Sequence, residues 1–343
     1  MLAGSTMVKK KKSAANGHSN DAPSIVITGA ASFLGSNILK ILEADRRFPH
    51  VVAVDTYKPS FPLKKTRFYK FDLTQPTADA DLAQILVNEK CDTFLHLALL
   101  SNPSHSSSYA HELEAIGTMY AVSACEEAKV RKLILGSTTM VYGANARNPN
   151  YLTEEMPLNG ARARYIRDKV AAENEFAGFA KRNPSACVTI LRPGMILGPT
   201  IRNFWTTYFA RPIVPTIMGY DPLMQCVHET DVLDAFMKVL REDHPGAWNI
   251  VAPGVMPIST ILGISGKIQL PLPGPIIRGV VGGAWNAGVF ELPPNMLDYL
   301  RYLWVADGEK AATKMGFVPR HTTRETMMSF MGMQRLRAIH LVE

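Results

Sequence analysis

Little in this chain points to an oxidising compartment, a membrane or a nucleic acid. The four cysteines, Cys91, Cys125, Cys187 and Cys226, are scattered and never form a C-x-x-C pair. That spacing argues against a disulfide framework and a zinc site, and fits reduced thiols in a cytoplasmic protein. Each lies near an apolar segment, where a thiol serves as a small hydrophobe. Long hydrophobic runs are also missing. The longest uncharged stretch, Ala247 to Gly266, is broken by Pro253, Gly254, Pro257 and Gly263, so no membrane span is expected. Lys9 to Lys12 are followed by a polar segment rather than an apolar one, which is not the pattern of a secretory leader. The net charge of +7 is uneven: residues 1–22 carry +3 and the remainder +4. With no aromatic-interleaved basic stripe in the body, nucleic acid is not an expected partner. Residues 1–22 read as a disordered basic tail. His105 and His111 lack a third ligand, so no metal is expected.

What the chain does have begins at Ser24-Ile-Val-Ile-Thr28, a β-branched run that reads as a buried strand. Gly29 opens a tight turn, and Phe33-Leu34-Gly35 starts a helix with apolar spacing through Ile38, Leu39, Ile41 and Leu42. A strand, a turn of small residues and a helix N-terminus make an anion site, because backbone N–H groups and the helix dipole face a pyrophosphate. Val51 to Asp55 is a second buried strand, ending in an acid twenty residues after Gly35. Such an acid accepts from a ribose 2′-OH and repels a 2′-phosphate. A glycine turn alone suits many α/β proteins. Together with the strand, helix and distal acid it reads as a dinucleotide site, for NAD rather than NADP. Lys58 and Arg46-Arg47 are the cations that could favour the phosphate.

Strands are also expected at 67–71, 93–98, 132–136, 186–191 and 248–251, with helices at 81–90, 109–128, 164–182 and 228–240. Alternation at this spacing predicts an α/β fold, a doubly wound parallel sheet whose ligands bind beyond the strands' carboxyl ends. Asp55, Asp72, Ala98 and Ser137 all fall at such ends. Residues 23–192, rejoined by 226–252, form the expected nucleotide-binding domain. Residues 193–225 and 253–343 form a smaller capping lobe, closed by two shorter helices. Thr230 or Asp231 is the expected cap of the helix near 228.

Tyr165 and Lys169 stand four apart on one helix face. A tyrosine is a poor acid or base near neutrality, its pKa being about 10, but a neighbouring ammonium favours the phenolate. The lysine can also donate to a ribose. Thr138, at a strand end, can hold a substrate oxygen as charge develops on it.

These motifs, in this order, resemble those of the extended short-chain dehydrogenase/reductases, the NAD-dependent epimerase/dehydratase group, over about residues 24–330. Thr28-Gly29 to Gly35 is similar to T-G-x-x-G-x-x-G, with Ser32 in the middle glycine's place. The resemblance implies a Rossmann sheet and a cofactor held by Thr28, Gly29, Ser32, Phe33, Leu34, Gly35, Asp55, Asp72, Leu73, Leu97, Ala98, Tyr165, Lys169 and Pro193. It implies a catalytic set of Thr138, Tyr165 and Lys169, and a homodimer through helices 109–128 and 164–182. Arg192-Pro193, Gly198-Pro199 and His228 to Asp231 match further segments of the group.

The departures narrow the chemistry. Glu114 stands where the group usually has Asn. Thr139-Met140 replaces the Asp-Glu pair of the sugar-nucleotide 4,6-dehydratases, which argues against dehydration. Met195 replaces the Asn that contacts a sugar nucleotide's phosphate region. Between Val251 and Phe290 the charged side chains are Lys267 and Arg278 alone. Ile261, Leu262, Leu270, Leu272, Ile276, Ile277 and Trp285 either pack the lobe or line an apolar pocket. Trp205, Tyr208 and Arg211 lie where the group's substrate loop runs; Tyr142 either packs or faces the substrate, and His228 is expected to be a structural hydrogen-bonding residue. The leading expectation is an NAD(P)-dependent oxidoreductase working on an apolar secondary alcohol or ketone. A sugar-nucleotide epimerase and a non-catalytic NAD-binding regulator are the rival readings.

Overall fold

The computed structural model describes residues 24–290 and 292–338; the basic tail lies outside them. β1 (Ser24–Thr28) is apolar on both faces, with Ile25, Val26 and Ile27 fully buried, as expected of a central strand covered on both sides. The chain continues through α1 (Phe33–Ala44), β2 (His50–Asp55), β3 (Arg67–Lys70), α2 (Ala78–Asn88) and β4 (Thr93–His96). After α3 (Ser107–His111), a π turn (Glu112–Ile116) leads into α4 (Gly117–Glu127). The single helix expected at 109–128 is therefore interrupted, an insertion that helical periodicity does not reveal. Next come β5 (Lys132–Gly136), α5 (Arg164–Arg182) and β6 (Cys187–Pro193).

β7 (Met195–Leu197), α6 (Phe204–Ala210), β8 (Ile213–Ile217) and β9 (Leu223–Met224) start the capping region. β10 (Cys226–His228), α7 (Glu229–Arg241) and β11 (Gly246–Ile250) return toward the main sheet. β12 (Met256–Pro257), α8 (Ile258–Ser265), β13 (Ile268–Leu272), α9 (Gly274–Asn286) and α10 (Thr323–Ala338) complete the lobe.

Seven parallel strands form the main sheet in the order β11-β6-β5-β4-β1-β2-β3. Its order reverses at β1, where a doubly wound sheet opens its ligand crevice. Register then fixes the site. Thr28 pairs with Val54 on one side and His96 on the other, so Gly29, Asp55 and Leu97 emerge side by side. Gly136 pairs with Leu191, which sets Ser137 and Thr138 beside Arg192 and Pro193.

One face of the sheet is packed around Leu39, Leu42, Phe236 and Leu240, the other around Leu86, Val122, Phe176 and Phe179. A third core, rich in Trp205, Phe209, Met296, Tyr299 and Trp304, holds the lobe together. Helix α7 is capped by His228 rather than Thr230 or Asp231. The imidazole accepts from the Thr230 amide and its other nitrogen meets Ser329 Oγ at 3.1 Å. His228 has the structural hydrogen-bonding role expected of it.

Candidate active site

The phosphate turn is shaped by two glycines. Gly29 has φ +71°, and a Cβ on it would sit 2.4 Å from the Leu97 carbonyl. A Cβ on Gly35 would lie 2.2 Å from the oxygen of Gly29. Only residues without side chains let the strand, turn and helix approach so closely. Ser32 does more than fill the middle glycine's place. It is the N-cap of α1, and its hydroxyl accepts from the Gly35 amide at 3.1 Å. The amides of Phe33 and Leu34 remain at the start of the helix, where no intrahelical partner exists for them. Both residues line the cleft.

Asp55 closes the other side. Its Oδ2 accepts the Ala31 amide at 2.8 Å, so the carboxylate pins the turn. It borders a cavity shared with Gly29, Leu73, Leu97, Ala98 and Tyr109, fit for an adenosine. Arg47 is drawn away by Asp45, at 2.6 Å. Asp72 is placed differently from its neighbours. Its carboxylate accepts the amide and hydroxyl of Thr74 at 2.9 and 2.8 Å, while Phe71 and Leu73 face the cavity. Thr28 is fully buried, its hydroxyl 2.7 Å from His96 Nδ1. It supports the turn from inside the sheet.

Ser32, Leu97, Leu99 and Leu100 border both this cavity and a second one. The second cavity brings Thr138, Tyr165, Lys169 and Pro193 together. Thr138 caps a short 3₁₀ turn (Thr139–Tyr142), its Oγ1 accepting from the Met140 amide at 3.3 Å. Its own O–H stays free to donate into the cleft. The Tyr165 hydroxyl and Lys169 Nζ both donate to the Leu100 carbonyl, at 3.0 and 2.9 Å.

Lys169 Nζ also meets Glu114 Oε1 at 2.5 Å, and both side chains are buried. This changes the expected electrostatics. Burial, then the Glu114 carboxylate, then Tyr299 push the Tyr165 phenol well above its usual value. The lowering expected from Lys169 does not prevail: burial and the carboxylate outweigh it. Glu114 lies in the π turn with its side chain fully buried.

Behind Thr138 lies a buried polar chain. Ser137 donates to Glu173, and Glu173 binds the Arg192 guanidinium through three contacts at 2.6, 3.0 and 3.1 Å. Arg192 donates to the Tyr142 hydroxyl at 2.7 Å, which donates in turn to Asn249 Oδ1 at 2.7 Å. Tyr142 and Arg192 thus brace the site from behind. Glu173 was detectable in the sequence: it continues the four-residue spacing of Tyr165 and Lys169 along α5.

Of the two readings left open for the lobe's apolar residues, packing holds for several and lining the cleft for none, and Leu272 packs against the lobe core. Ile261, Leu262 and Ile277 are in the lobe core, Leu270 and Ile276 are exposed, and Trp285 stacks on His105 at 3.8 Å. The cleft is walled instead by Met140, Met195, Ile196, Ile201, Phe204 and Trp205. Tyr208 is tied to the Pro215 carbonyl, and Arg211 lies over the Phe290 ring, so of the expected loop residues Trp205 alone reaches the cleft. Asn203 also lines it, but its amide is committed to Thr206 and Ile196. His111 pairs with Asp168. No group of three metal-ligating side chains occurs among the described residues.

Comparison with known proteins fits this geometry. An uncharacterized protein of Mycobacterium tuberculosis is 30% identical over 309 residues, covering 88% of this chain and 81% of the relative. The human dTDP-D-glucose 4,6-dehydratase is 26% identical over 254 residues, covering 66% of this chain and 67% of that protein. Among solved structures, MoeE5 in complex with UDP-glucuronic acid and NAD superposes with a TM-score of 0.70 at 22% identity, over 92% of this chain and 99% of that one. The sequence profile of the NAD dependent epimerase/dehydratase family matches residues 25–251. The chain belongs to that family of NAD-dependent enzymes.

Proposed function

We propose that the chain is an NAD-dependent oxidoreductase that interconverts a secondary alcohol and a ketone on an apolar substrate. The observation carrying this reading is the composition of the cleft beyond Thr138 and Tyr165. Six apolar side chains wall it, and Lys169, already paired, is the one cation bordering it among the described residues. A sugar diphosphate asks for arginines or lysines to hold its charge, and an aliphatic or ring ketone does not.

The residues fit NAD. Gly29 and Gly35 leave the backbone open to a pyrophosphate, the Phe33 and Leu34 amides face it, and Asp55 offers an acceptor to an adenosine ribose. NAD bound there supplies the hydride acceptor or donor. Thr138 donates to the substrate oxygen and steadies charge on it. Tyr165 gives its hydroxyl proton to that oxygen or takes it back. Lys169 is within reach of the same end of the cleft and donates to a ribose hydroxyl.

The outer faces of α4 and α5, with Met119 exposed and Val170 and Ala171 half-buried, are the surface for a second copy of the chain. Four free, buried cysteines suit the reducing conditions of a cytoplasm.

The test is cofactor-linked turnover on a panel of lipophilic ketones and UDP-sugars, repeated with Tyr165→Phe. Turnover of ketones that the variant abolishes, with NAD affinity little changed, supports the proposal. A second reading, sugar-nucleotide epimerisation, is favoured by the ligands named for the structural neighbours. Epimerised UDP-sugar with no net change in reduced cofactor would replace the first reading with it.

A further inference from the structure

Glu114 is a buried charged group that the chemistry above leaves unused and that touches a residue of the cleft. It sits in the π turn between α3 and α4, with no exposed surface. Its Oε1 receives two donors, Lys169 Nζ at 2.5 Å and the Leu100 amide at 2.6 Å. Its Oε2 is buried with no partner among the described residues. A buried carboxylate oxygen without a partner is uncommon in a folded protein. Here the carboxylate is turned toward one ammonium, and that ammonium borders the cleft beside Tyr165.

The neighbouring polar groups are already committed. Asp168, on the same helix as Lys169, is held by His111 at 3.0 Å and Arg167 at 3.5 Å. Tyr299 donates to the Met140 carbonyl at 2.7 Å. Glu114 is therefore the carboxylate paired with Lys169 at the edge of the cleft.

We propose that Glu114 is a positioning residue that cancels the charge of Lys169, so that the cleft favours the oxidised, cationic nicotinamide over the reduced, neutral one. This rests on the NAD reading given above. An unpaired buried ammonium repels a pyridinium ring and leaves a dihydropyridine untouched. Neutralising it removes a penalty that falls on one redox form alone. The carboxylate also discourages ionisation of Tyr165, keeping its proton in place until a substrate oxygen arrives.

The experiment measures dissociation constants of NAD⁺ and NADH at pH 8.5 for the wild-type chain, Glu114→Gln, and Glu114→Gln combined with Lys169→Met. The ratio of the NAD⁺ constant to the NADH constant should rise roughly tenfold in the single variant, the effect of one unit charge at about 10 Å and an effective dielectric near 20. In the double variant the ratio should return toward wild type, because both charges are gone, although each form binds more weakly. A merely structural role would weaken both forms alike and leave the ratio in place; an unchanged ratio in the single variant overturns the proposal. Glu114→Asn, neutral and shorter, carries the same expectation and replaces Glu114→Gln if that variant does not melt cooperatively. Failure of the wild-type chain to bind either form would instead overturn the NAD reading.

Discussion

Arg192 and Glu173 form a buried, two-pronged ion pair, with the closest approach at 2.6 Å, directly behind the strand end that carries Thr138. Both are almost fully buried, so neither charge has solvent to fall back on. Arg192→Met should destabilise the chain by about 3–5 kcal/mol, because Glu173 is left buried and charged without a cation, with the Ser137 hydroxyl as its remaining partner. Adding Glu173→Leu should restore most of that loss, since two apolar groups of similar volume leave no orphaned charge. Urea unfolding of both variants checks the pair. Equal destabilisation by the single and double changes would contradict the argument.

The turn after β1 makes a sharper prediction. Gly29→Ala puts a Cβ against the Leu97 carbonyl at 2.4 Å and requires alanine to adopt φ +71°. Gly254 has φ +83° with nothing within 4 Å, so Gly254→Ala isolates the conformational cost, about 1–2 kcal/mol. Thermal unfolding and NAD titration should show a small stability loss with intact binding for Gly254→Ala. Gly29→Ala should lose NAD binding as well, because the turn must move to make room.

Asp55 combines a structural and a selective role. Asp55→Asn keeps an oxygen able to accept the Ala31 amide, so the turn should persist. The repulsion of a 2′-phosphate disappears. The preference for NAD over NADP should fall by about tenfold, the equivalent of about 1.4 kcal/mol. Competitive titration of the two cofactors reads this directly, and an unchanged preference would move the discrimination to another residue.

The framework of the expected nucleotide half was legible in the sequence because its determinants are local. A strand end, a glycine turn and a helix start are contiguous, and the acid at Asp55 closes the next strand. The substrate half was not. Ile261 and Ile277 carry the same apolar character as Ile196 and Ile201, and tertiary packing alone decides which pair lines the cleft. Asp72 illustrates the same limit: its strand end reads correctly, but the hydrogen bonds to Thr74 turn its carboxylate to its own loop. The π turn left no periodic trace in 107–127, although Glu114 stood out as a departure from the Asn usual in the group.

His96 gives the chain a pH signature that is independent of catalysis. Burial pushes its imidazole down to about 3, so it is neutral when folded. Thr118 donates to the Glu114 carbonyl at 2.6 Å, and its oxygen therefore accepts from His96 Nε2–H at 3.0 Å. Nδ1 is left to accept the Thr28 hydroxyl. In the unfolded chain the same imidazole titrates near 6.5. Below that pH the unfolded state binds a proton that the folded state refuses, so acid favours unfolding. The contribution is fully present above pH 6.5 and is lost as pH falls toward 3, at up to about 1.4 kcal/mol per unit. His96→Asn, which does not titrate, should remove that part of the slope between pH 6.5 and 4.5, at the cost of lower stability at neutral pH. Unfolding free energies measured in urea across this range give the slope for both proteins. Parallel profiles would mean that His96 takes up its proton without leaving the fold.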